Sequence, residues 1–115
     1  MSAPSQRPDG APATTGMAAL YLRFCQRLPE RAATLQAAWA AWLTAPGSNA
    51  PADLVRGLHS LAGAAGLHGL DDLTHNARAL EQALLTTEAT PDAHAEAFTA
   101  LLADMQAVAR ASTPN

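Results

Sequence analysis

Alanine makes up about a quarter of this chain, and that narrows the fold more than any other feature. Alanine is the best helix former and lacks the β-branched bulk that packs well on a pleated surface. Hydrophobic residues account for 49% of the 115 positions, yet aromatic residues for only 4%. Leucine and alanine must therefore supply most of the core. The predicted class is all-α, in a single domain.

The spacing of the larger hydrophobes divides the chain. Residues 1–16 hold prolines, glycines and few hydrophobes, and are expected to form a flexible N-terminal tail ahead of a domain spanning 17–111. Met17, Leu20, Tyr21, Phe24 and Leu28 recur at helical spacing and predict a short first helix. Pro29 disfavours a helical Leu28 and suits the first turn of a new helix, with Glu30 near its positive end. That second helix carries Leu35, Trp39, Trp42 and Leu43 on one face and ends by Pro46-Gly47.

Ser48 or Asn49 is expected to cap a third helix, with Pro51 and Asp53 in its first turn and Leu54, Leu58, Leu61 and Ala65 inward. Gly66 and Gly69 bracket a tight connection. A fourth helix shows Leu70, Leu73, Ala77, Leu80 and Leu84 at the alternating spacing of a bundle seam. Thr90-Pro91-Asp92 reads as cap, first-turn proline and N-terminal acid of a last helix, with Phe98, Leu101, Leu102, Met105 and Val108 inward. Ser112–Asn115 is expected to fray. Short loops favour antiparallel neighbours, so the expected architecture is an up-down-up-down four-helix bundle with a short additional N-terminal helix.

Charge and composition exclude several functions. A formal net charge of -3 argues against a nucleic-acid binder, which would carry a basic patch. All seven basic residues are arginines, which together with the alanine content looks like a genome-wide bias. The single Cys25 cannot form an internal disulfide, and no cysteine–histidine cluster suggests zinc, so no metal or other cofactor is expected. No apolar run is long enough to span a bilayer, and the N-terminus lacks a signal core; a cytoplasmic, monomeric protein is expected. A glycine-rich phosphate loop with its lysine is absent, which argues against ATP binding and autokinase activity.

Leu58-His59-Ser60-Leu61-Ala62-Gly63-Ala64-Ala65-Gly66 sets one histidine among residues too small to cover it. His59 lies one residue off the inward stripe. Its neighbours on the same face are Val55 and Arg56 one turn before, and Ala62 and Gly63 one turn after, with Gly66 continuing the strip. A glycine inside a helix costs about 1 kcal/mol relative to alanine, so Gly63 suggests close approach by another molecule. The bland reading is a partly exposed histidine in an alanine-rich helix with no role.

The run from His59 through Ala65, followed by Gly69-Leu70 and Leu80-Glu81, resembles the histidine-containing phosphotransfer domain family. That pattern reads histidine, any residue, hydrophobic, lysine, glycine and two small residues, then a later glycine and a Leu-Glu pair. The resemblance implies a bacterial phosphorelay intermediate in two-component signalling. His59 would accept a phosphoryl group from a receiver-domain aspartyl phosphate and pass it to another receiver aspartate. The implied partners are receiver domains of response regulators and a hybrid histidine kinase, docking around Val55, Ala62, Gly63 and Gly66. Glu81 matches the family position that braces the imidazole; otherwise it is an ordinary solvated carboxylate.

The chain departs from the pattern at Ala62, where the family carries the lysine that helps neutralise the phosphoryl group. Arg56 and Arg78 are candidate substitutes, or else solvated surface charges. The departure supports an alternative: a degenerate adaptor that binds receivers or other helices without carrying phosphate. His68 and His75 are expected at the surface, Trp39 and Trp42 in the core or at its edge, and Cys25 as a small packing residue.

Overall fold

The computed structural model describes residues 11–45, 49–86 and 89–112. Among the described residues there are four helices and no strand: α1 (Ala11–Leu43), α2 (Ala52–Leu67), α3 (Asp71–Leu84) and α4 (Pro91–Ala111). The all-α class holds, but one predicted boundary does not. The separate leading helix expected before Pro29 is absent, because α1 runs through that proline without interruption. A mid-helix proline removes one hydrogen bond and costs about 3 kcal/mol. Here the cost is offset by burial on both sides of it. Cys25, Leu28, Ala32 and Leu35 are all nearly inaccessible and share one core, whereas Pro29 itself faces solvent. Breaking the helix would take one half of that stripe out of register.

α1 also begins at Ala11, inside the segment expected to be a tail; residues 1–10 lie outside the described residues. At about 1.5 Å per residue it is roughly 50 Å long, twice the length of α2. His68, just past the end of α2, already meets Tyr21 and Phe24. Met17 and Leu20, before that contact, are exposed, as is Leu43 at the other end.

The three remaining helices follow the predicted stripes. Leu54, Leu58, Leu61 and Ala65 of α2, Leu73, Ala77, Leu80 and Leu84 of α3, and Phe98, Leu101 and Met105 of α4 are buried together with the α1 stripe. Leu70, Leu102 and Val108 pack half-buried at its margin. Trp39 stacks flat on Phe98, with ring centroids 4.2 Å apart, and meets Trp42 edge-on, so both tryptophans are core.

Each helix packs on its sequence neighbours, and α4 returns to α1. Leu35 meets Gly57 while Phe24 meets His68; Glu81 meets His59 while Thr74 lies beside Gly66. Residue numbers thus run in opposite senses along both faces of α2. The α2–α3 connection is tight because Gly69 takes a left-handed φ of 71°, which lets the Leu70 N–H reach the Ala65 carbonyl.

The caps differ in detail from expectation. α2 starts after Pro51, which stands at its N-cap with no side-chain hydrogen bond; Asn49 does not cap it, and Ser48 lies outside the described residues, as do Pro46 and Gly47. Thr90 is the N-cap of α4 with Pro91 next, as predicted, but its hydroxyl makes no capping bond. Ser112 caps the C-terminus of α4 and residues 113–115 lie outside the described residues.

Candidate functional site

His59 projects from the middle of α2, and its side chain is 78% exposed. Its inward neighbour Leu58 is fully buried and anchors the helix at that point. On the facing helix, Glu81 is 8% exposed, the single buried charged residue among those described. The two meet: His59 Nδ1 lies 2.9 Å from Glu81 Oε2. A carboxylate only accepts hydrogen bonds, so this contact selects the tautomer in which Nδ1–H donates and Nε2 carries the lone pair. The buried end of the pair is fixed by α3 packing, and the exposed end is held in one orientation. A tautomer-fixed imidazole facing solvent is a nucleophile available to a partner.

The strip beside His59 is partly what the sequence predicted. A Cβ added at Gly63 would meet nothing within 4 Å, so this glycine faces open space. Val55 is half-buried at the margin. Ala62, in contrast, is 2% exposed. It lies four residues after Leu58 and turns inward, so it is packing rather than surface. Gly66 is exposed but not bare, since a Cβ there would sit 3.7 Å from the Thr74 side chain in ordinary contact.

Of the two candidate cations, Arg56 pairs with Asp53 one turn earlier on α2, with both side chains largely exposed. Arg78 is exposed and makes no hydrogen bond or ion pair among the described residues. It falls between Thr74 and Glu81 on the α3 stripe that faces α2.

Two features were not read from the sequence. Arg31 of α1 donates from Nη1 to Ser60 Oγ at 3.3 Å, placing a guanidinium on the residue next to His59. Its carbon also lies 6.0 Å from the centre of the Phe24 ring, within the range of a cation–π contact. No local signal links residues 29 positions apart. Gly57 is the second. A Cβ there would fall 2.8 Å from Leu35 Cδ2, so the glycine lets α1 and α2 approach closely. A groove lined by Arg27, Glu30, Arg31, Thr34, Leu35, Gly57 and Ser60 runs between them.

The other histidines are elsewhere. His68 is not a surface residue as expected: it is half-buried, edge-on to Tyr21 at 5.5 Å and tilted on Phe24 at 5.2 Å. His75 is exposed on α3. Among the described residues no three histidine, cysteine or acidic side chains converge as a metal site, and no helix is long and apolar enough to cross a membrane. Cys25 is buried beside Tyr21. Its hydrogen bond, reinforced by burial, raises the Tyr21 phenol above its ordinary value.

The domain is all-helical, and its solvent-facing His59 is braced by a buried carboxylate on the neighbouring helix. The Hpt domain family model matches residues 19–111, and the chain belongs to that family. Comparison with curated proteins and with solved structures returned no match. Hpt domains serve phosphotransfer in two-component signalling and interact with receiver domains.

Proposed function

We propose that this protein is a phosphorelay intermediate in which His59 carries the phosphoryl group between receiver aspartates. The observation that supports it most is the 2.9 Å contact between His59 Nδ1 and the buried Glu81 carboxylate. In the accepting step the Nε2 lone pair attacks the phosphorus of an aspartyl phosphate. The N–P bond forms as the acyl P–O bond breaks, and the aspartate leaves as a carboxylate. Nδ1 keeps its proton, so the phosphorylated ring is cationic, and Glu81 offsets that charge. The donating step is the reverse toward a second receiver aspartate.

In this reading the receiver docks on the open side of α2, around Val55, His59, Gly63 and Gly66, and the helices run up-down-up-down. A hybrid histidine kinase would supply the phosphoryl group through its receiver domain, and the setting is the bacterial cytoplasm. The arginine-only, alanine-rich composition accords with a bacterial origin. Ala62 favours a second reading, a receiver-binding adaptor that carries no phosphate, because a buried alanine leaves α2 without a cation one turn beyond the histidine.

Incubation with a radiolabelled phosphorylated receiver separates the two. Acid-labile, base-stable label on the wild type and none on His59→Gln is expected. Receiver binding without any label would favour the adaptor, and equal labelling of His59→Gln would exclude transfer at this residue.

A further inference from the structure

The cation missing from α2 has a structural replacement, and it comes from α1. We propose that Arg31 supplies the positive charge that faces the phosphoryl group on His59, an inference that rests on the phosphotransfer reading above. Ala62 cannot carry this role, and Arg56 is held by Asp53. Arg31 has no carboxylate partner among the described residues; its only polar contact there is the neutral Ser60 hydroxyl, at 3.3 Å. That hydroxyl belongs to the residue directly after His59, about 100° further around α2, so the guanidinium reaches the imidazole by crossing the Gly63 side of the helix.

The guanidinium is also pre-positioned. Arg31 is half-buried, and Phe24 lies within cation–π range. Less rotamer freedom is then lost when it engages an anion. The way across α2 is open on the C-terminal side of Ser60, where a Cβ at Gly63 would meet nothing within 4 Å. A planar guanidinium can present two parallel N–H groups to two phosphoryl oxygens. Exchanging a neutral hydroxyl for a dianion at 3 Å range strengthens its hydrogen bonding roughly twofold. Arg78 is the rival. It lies on the α3 stripe that faces α2, but among the described residues its guanidinium makes no contact with α2, whereas that of Arg31 does.

The test uses the full chain, phosphorylated on histidine by phosphoramidate, with phosphorus NMR following the titration of the His59 phosphoryl group. His59→Gln identifies its resonance. A cation a few ångströms away favours the dianion, so Arg31→Ala is expected to raise the phosphoryl pKa by about half a unit. Arg31→Lys is expected to retain most of the wild-type value, and Arg56→Ala and Arg78→Ala to change it less than Arg31→Ala does. Arg31→Gln preserves a donor to Ser60 without the charge and guards against loss of packing; it is expected to follow the alanine variant. An unchanged titration in Arg31→Ala and Arg31→Gln, or a larger shift in Arg78→Ala, would overturn the assignment. Absence of a His59 resonance in the wild type would remove the phosphotransfer reading itself, and this proposal with it.

Discussion

Replacing Gly63 by alanine is expected to stabilise the fold, while the same change at Gly57 is expected to weaken it. Both glycines lie inside α2, where glycine costs roughly 0.5–1 kcal/mol relative to alanine. At Gly63 the new methyl meets nothing within 4 Å, so the helix gain is realised in full. For a domain of this size that is a rise in Tm of about 2–8 °C. At Gly57 the new methyl falls 2.8 Å from Leu35 Cδ2. Leu35 is 2% exposed and cannot swing into solvent. Overpacking of this kind costs about 1–3 kcal/mol, more than the helix gain, so a net loss on the order of 1 kcal/mol is expected. Thermal and urea unfolding followed by circular dichroism measure both.

The contrast matters because it separates a glycine kept for the fold from one kept for a partner. Gly63→Gln adds a side chain on the open strip next to His59. It is expected to fold at least as well as wild type while binding a receiver domain at least about tenfold more weakly, the equivalent of ~1.4 kcal/mol. Calorimetry with the receiver reads the second effect. Destabilisation by Gly63→Ala, or undiminished receiver binding by Gly63→Gln, would refute the argument that this glycine serves close approach.

Three further outcomes are expected. Glu81→Ala should slow phosphoryl transfer by about 10–100-fold, matching the ~1.5–3 kcal/mol of a hydrogen bond to a charged group, with Glu81→Gln in between; rapid-quench kinetics measure it. Pro29→Ala should raise stability by about 1–3 kcal/mol in urea unfolding, because it restores a hydrogen bond within one continuous helix; a neutral result would indicate a break at that point. The raised Tyr21 pKa has the folded state favouring the neutral phenol, so its contribution is complete below the ordinary value of about 10 and is lost as pH rises through the folded one. Tyr21→Phe should remove that alkaline dependence from the pH–stability profile.

Much of the fold was legible because helical periodicity survives in the leucines. Leu54, Leu58 and Leu61, then Leu73, Leu80 and Leu84, face inward as their spacing requires. Pro29 misled for a definable reason: local preference favoured a break, and burial of Cys25, Leu28, Ala32 and Leu35 outweighed it. Ala62 follows the histidine by one turn, which suggests a surface position, but its four-residue offset from Leu58 turns it inward. The His59–Glu81 pair follows from the family resemblance and not from local spacing, since 22 residues separate the two. Arg31–Ser60 and the Gly57–Leu35 contact had no sequence signal at all, because they depend on how α1 lies against α2. Composition cannot distinguish Gly57 from Gly63; only the neighbouring helix does.

Mapping the phosphorylated residue after exchange with a phosphorylated receiver bears most directly on the role of His59. Mass spectrometry under alkaline conditions, which preserve phosphohistidine, is expected to find the modification on His59 alone among the four histidines, and to find none in His59→Gln. Phosphate on His68, His75 or His94 instead, or an unmodified chain bound to a receiver that keeps its phosphate, would contradict the account.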